Sequence, residues 1–158
     1  MRNLPSKGLG SLVFNQRNEM SMKILVVHRQ KEVTERIKSV LNDKAVIRYA
    51  NSGLDGLLAA RVEAFDLIIC STDLPMVTGF ELVRSLRNSS VNKNTPVIFL
   101  ADDFIDEKTE YLAHALGVSG MIAMEEVDQN LSDIVNENVK PKSSQKWMGL
   151  IPDKDRLN

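Results

Sequence analysis

From position 22 onward the chain alternates between short, wholly apolar runs and longer stretches in which apolar residues return every three or four positions. The first kind marks strands buried on both faces, the second helices with one side turned to a core. The apolar runs predict strands over 23–27, 45–49, 66–70, 96–100 and 120–123. The periodic stretches predict helices over 32–41, with Val33, Ile37, Val40 and Leu41 inward, and over 53–63, with Leu54, Leu57, Leu58 and Val62 inward. Three more follow at about 80–87, 106–116 and 128–138. Strict alternation of this kind predicts an α/β domain, a doubly wound five-stranded parallel sheet with five flanking helices, because right-handed crossovers place helices on both faces. Ligands of such sheets gather beyond the carboxyl ends of the strands, which singles out His28, Arg29, Ser71, Ala101 and Met124.

The pattern fails at both ends. Residues 1–21 carry Pro5, Gly8 and Gly10 with no helical or strand period and read as a flexible leader; with Met20 and Met22 just ahead of the first strand, they also read as an overextended start. After position 138 the composition turns to Lys140, Pro141, Lys142, Ser143, Ser144 and Lys146, a flexible basic linker. It leads to the apolar island WMGLIP at 147–152, which holds the only tryptophan, Trp147. The expected organisation is a leader (1–21), a folded domain (22–138) and a basic tail with an apolar island (139–158).

Composition adds limits. With 43% hydrophobic and 26% charged residues the chain can bury a core, and its length suits one domain. The formal charge of -1 excludes the strongly basic balance of a general nucleic-acid binder. That near-neutrality conceals a domain at -6 between a leader at +2 and a tail at +3. The single cysteine, Cys70, can form neither an internal disulfide nor a thiolate metal site, which points to a reducing compartment and cytoplasmic residence. No apolar run is long enough to span a membrane, and no apolar segment of signal-peptide type precedes the first strand.

One stretch carries a family resemblance. DLIICSTDLPMVTG at 66–79 resembles the third strand and following loop of response regulator receiver domains, in which an Asp-x-x-Met-Pro run leads to Asp-Gly. ILVV at 24–27, ANSG at 50–53, TPVIFL at 95–100 and GVSGMI at 117–122 stand in the order and at the distances of that family's other motifs. The resemblance covers about 22–138 and implies a flavodoxin-like fold of receiver type in bacterial two-component signalling. It further implies a phosphoryl-accepting aspartate after the third strand, two acids after the first holding a divalent cation, a hydroxyl residue after the fourth and a lysine after the fifth. Here those positions hold Ser71, the pair His28 and Arg29, Ala101, and Met124. The aromatic that the family moves on its fifth strand is Met121.

Each replacement removes a physical requirement. Ser71 is a weak acceptor without a base, and Arg29 repels the cation. Ala101 cannot hydrogen-bond a phosphoryl oxygen, and Met124 cannot neutralise one. Asp73, two residues beyond Ser71, reads either as an alternative acceptor or as a partner that pairs with Arg29 through a charge-assisted hydrogen bond. Asp102 and Asp103 read as a solvated helix cap. His28 lacks a second imidazole for zinc, since His114 belongs to a distant helix, and Cys70 reads as a buried hydrophobe. No cofactor and no metal are expected.

The expected function is therefore a non-enzymatic, phosphorylation-independent pseudo-receiver that docks a signalling protein or a second copy of itself, with no nucleic acid or membrane as partner. The alternative is a phosphorelay receiver phosphorylated on Asp73 or Ser71. The family commonly docks through its fourth helix, fifth strand and fifth helix; Tyr111, Met124 and Trp147 are the interaction candidates.

Overall fold

The computed structural model describes residues 21–41, 44–89, 91–102 and 104–139. The expected leader, Asp103 and the tail with Trp147 lie outside them. Five parallel strands, β1 (Met22–Val27), β2 (Ala45–Ala50), β3 (Leu67–Ser71), β4 (Val97–Ala101) and β5 (Gly120–Ala123), lie in the order β2-β1-β3-β4-β5. The helices between them are α1 (Lys31–Leu41), α2 (Gly53–Val62), α3 (Gly79–Ser89), α4 (Glu107–Ala115) and α5 (Val127–Asn138). A short 3-10 turn, Met124–Glu126, which the sequence pattern did not reveal, joins β5 to α5.

Alternation along the central strands divides the core in two. Ile24, Val26, Leu67, Ile69, Ile98 and Leu100 face α1 and α5, where Ile37, Leu41, Leu131 and Val135 meet them. Leu25, Val27, Ile68, Cys70, Val97 and Phe99 face the other way, against Leu82, Val83 and Leu86 of α3. There the rings of Phe80 and Phe99 meet edge to face at 5.0 Å. Strands β3 and β4 are buried along their whole length, as near-continuous apolar runs require.

The strands match the sequence pattern to within a residue, and the shift matters at two of them. Ser71 and Ala101 are the last ladder residues of β3 and β4 rather than loop residues, because Ser71 pairs in register with Leu100, Ala101 with Ala123, and the Thr72 amide still donates to the Leu100 carbonyl at 3.0 Å.

Helix α2 departs from expectation more sharply. The pattern turned Leu54, Leu57, Leu58 and Val62 inward, yet the buried residues are Gly53, Gly56, Ala59 and Ala60, with Leu57 partly buried. Leu54, Leu58 and Val62 are 48%, 51% and 80% exposed. Close approach is the reason. A Cβ on Gly53 would collide with the Val77 carbonyl, and one on Gly56 would meet the Val27 methyls at 2.8 Å, so the small face alone fits against the sheet.

Candidate functional site

The carboxyl edge of the sheet brings together three of the expected positions by register. Val27 pairs with Cys70 and Ser71 with Leu100, which sets His28, Ser71 and Ala101 at the ends of three adjacent strands. All three are buried, at 2%, 1% and 6% exposure. Arg29, Asp73 and Asp102 form a more open rim around them.

Ser71 is closed off chemically. Its hydroxyl donates to the Asp73 carbonyl at 3.2 Å and accepts from the Asp73 amide at 3.1 Å, a tight ring that uses the oxygen as both donor and acceptor. The ring bends the chain just past β3. Asp73 is therefore not the continuation of an extended strand, and its side chain is 73% exposed. Gly79, at the start of α3, is pressed against this loop; a Cβ there would strike the Ser71 carbonyl oxygen. Met76, in the same loop, is 91% exposed and holds φ 68°, a left-handed conformation that a residue with a side chain adopts only where its surroundings impose it.

Arg29 lies 3.9 Å from the Asp73 carboxylate, Nη2 to Oδ2, with half of its side chain in solvent. The expected charge-assisted hydrogen bond is not formed: at this length the two are a loose ion pair, too solvated to lock either group.

His28 is the unusual member. Its Nδ1 accepts from the Gln30 amide at 3.0 Å, which leaves the proton of the neutral ring on Nε2. That Nε2 is buried and finds no hydrogen-bond partner among the described residues; the nearest carboxylate oxygen, Asp102 Oδ1, stands at 3.8 Å. Burial pushes the imidazole below its ordinary 6.5, with Asp102 pulling the other way and Arg29 adding to the depression.

Asp102 is thus a companion of His28 and not the helix cap expected of it. The cap of α4 is Asp106, whose Oδ1 accepts from the Thr109 amide at 2.7 Å and whose carboxyl is held below the usual range by that bond. The stretch 102–106 offered three aspartates, and only the position of the helix's first turn distinguishes the cap among them.

The divalent cation that the resemblance implies does not fit these residues. Of the two positions that would ligate it, one carries a guanidinium and the other an imidazole whose Nδ1 is already engaged, while a hard cation requires oxygen donors. Among the described residues no group of three or more His, Cys, Asp or Glu could hold a metal ion.

Met121 and Met124 part company. Met121, paired in register with Phe99, packs on the core beneath α2, α3 and α4, whereas Met124 packs on the core beneath α1 and α5. Tyr111 on α4 is 74% exposed, with Leu112 at 43% and Phe104, just before the helix, at 90%. Tyr111, one of the interaction candidates, is thus open to solvent, and Phe104 stood outside that set. Among the described residues no helix is long and apolar enough to cross a membrane.

Comparison with known proteins agrees with this architecture. The family model described as Response regulator receiver domain matches residues 24–136. The transcriptional regulatory protein CusR of Escherichia coli K12 is 38% identical over 80 residues, 50% of this chain and 34% of CusR. The transcriptional regulatory protein HprR of the same strain is 33% identical over 93 residues, 58% of this chain and 40% of HprR. The chain thus spans well under half the length of these relatives. Among solved structures, the chemotaxis response regulator CheY4 of Vibrio cholerae superposes with a TM-score of 0.63 at 27% identity, covering 72% of this chain and 98% of CheY4.

Proposed function

The chain belongs to the response regulator receiver domain family of two-component signalling, and on that premise we propose that it works as a pseudo-receiver: a phosphorylation-independent docking or dimerisation module rather than an enzyme. The observation that carries this reading is the state of the acceptor position. Ser71 is buried with its hydroxyl committed in both directions to the Asp73 backbone, and the groups beside it are Arg29 and a neutral His28. Phosphoryl transfer needs a free nucleophile in line with the donor and positive charge placed on the transferred group. Ser71 is not such a nucleophile, the positive charge nearby is a solvated guanidinium loosely paired with Asp73, and Asp73, though exposed, belongs to no group of three or more metal-ligating side chains among the described residues. With no ligand that distinguishes two states, the domain rests in one, and its output is its surface.

That surface centres on Phe104, Tyr111 and Leu112, large apolar groups left in solvent at and before α4. The partner is a signalling protein or a second copy of the chain. Cytoplasmic residence fits the lone buried thiol. The regulators it resembles are named for transcription, but the aligned part is a fraction of each, and the domain's -6 charge disfavours direct contact with nucleic acid.

Incubation with a small-molecule phosphoryl donor and Mg²⁺, read by intact mass, tests the reading. The expected result is an unchanged mass. A phosphate adduct that disappears in Asp73→Asn or Ser71→Ala would establish a working phosphorelay receiver in its place.

A further inference from the structure

The sheet has one edge whose flanks are built to receive something. Among the described residues strand β2 lies outermost, paired only with β1, so its far side presents amides and carbonyls that no other described strand pairs. A cleft of about 770 Å³ lies beside its carboxyl half, between α1 and α2, lined by the successive β2 residues Arg48, Tyr49 and Ala50, by polar residues of α1, and at its upper end by His28 and Arg29 of the site described above. Its α2 wall is the outward stripe of Leu58 and Val62, extended by Leu54, apolar side chains that the small inner face of the helix leaves in solvent. Val46 and Tyr49 of β2 are also exposed, at 53% and 40%.

We propose that this edge takes residues 147–151 of the same chain as a sixth parallel strand. Four observations favour that occupant. Helix α5 runs back to the amino end of the sheet, where β2 begins: Ser132 on its second turn accepts a hydrogen bond from Lys44, the residue before Ala45, at 3.2 Å. The chain leaves α5 at Val139, and residues 140–146 reach about 25 Å when extended, against about 8–10 Å for the one helix, α1, that separates α5 from β2. A strand entering there runs parallel to β2. The step from β5 through α5 to that strand crosses the sheet in the direction of β1-α1-β2 and on the same face, so it keeps the right-handed sense of the other crossovers.

The segment also has the right chemistry. Trp147, Gly149 and Ile151 fall on one side of an extended chain and Met148 and Leu150 on the other, so one apolar row covers the Leu58–Val62 wall while the other lies over the side-chain stems of Lys31 and Glu35 on α1. Pro152, which lacks the amide a ladder requires, ends the strand at about the length of β2.

Because Trp147 is the sole tryptophan, its fluorescence reports the docking directly. In the full chain the expected emission is blue-shifted, several-fold less quenched by acrylamide than in Leu58→Lys, and constant across a wide dilution series. Amide exchange over 147–151 should be slower than over 141–146. Gly149→Pro, which alters the tail alone, should restore solvent-like emission and fast exchange even if Leu58→Lys disturbs the domain. Solvent-like emission in the unaltered chain would overturn the proposal. So would a blue shift lost on dilution, which would assign the edge to a second copy.

Discussion

His28 is the residue in which burial and charge are most directly opposed. Its folded-state pKa lies below its unfolded one, so as pH falls through about 6.5 the unfolded chain takes up a proton that the folded chain resists. Stability should therefore decline on acidification from neutral pH until the folded imidazole itself titrates. Denaturant titrations over that range should show the decline in the unaltered protein and a flatter dependence in His28→Leu. Asp102→Asn should steepen it, because the Asp102 charge at 3.8 Å is what favours the imidazolium. The identities of the altered site residues were legible in the sequence, since strand ends and motif spacing place them. Their contacts were not. That Asp73 folds its backbone onto the Ser71 hydroxyl while its carboxylate stays 3.9 Å from Arg29 depends on the path of the chain just after β3, which no periodicity encodes.

At the scale of elements, Asn92 ties together pieces that no hydrophobic pattern connects. Its side-chain oxygen accepts from the Phe65 amide and the Thr95 hydroxyl, and its nitrogen donates to the Ala60 and Glu63 carbonyls at 2.6 and 2.9 Å. One buried amide thus fastens the end of α2, the approach to β3 and the loop before β4. Asn92→Ala removes these four hydrogen bonds and should cost about 3 kcal/mol, measured by denaturant unfolding. Arg87 does comparable work nearby, its guanidinium donating to the carbonyls of Lys93, Thr95, Leu116 and Gly117. The strands and most helices could be read from their periods because one apolar face dominates each. Helix α2 could not be oriented in that way: apolar on both sides, it turns by steric fit, and the glycines at 53 and 56 were the only signal of which side goes in.

For the molecule as a whole, the pattern of alternation was enough to give a parallel sheet with helices on both faces, because right-handed crossovers leave few arrangements open, whereas the strand order β2-β1-β3-β4-β5 did not come from it. What lay beyond it were the surfaces, since an exposed Phe104 or Leu58 looks the same in sequence as a buried one. One buried group also supplies a readout of how this architecture opens. Cys70 is the penultimate residue of the central strand, flanked in register by Val27 and Phe99, with no exposed surface and its thiol driven far up by burial. A thiol reagent can reach it only when the α3 layer lifts or the sheet itself opens, so the rate of labelling under native conditions acts as a clock for opening of this core. In the unaltered chain that rate should match the slowest-exchanging amides of β3, and Asn92→Ala should accelerate both together. Labelling much faster than those amides exchange would mean that the layer beneath α3 opens while the sheet stays intact.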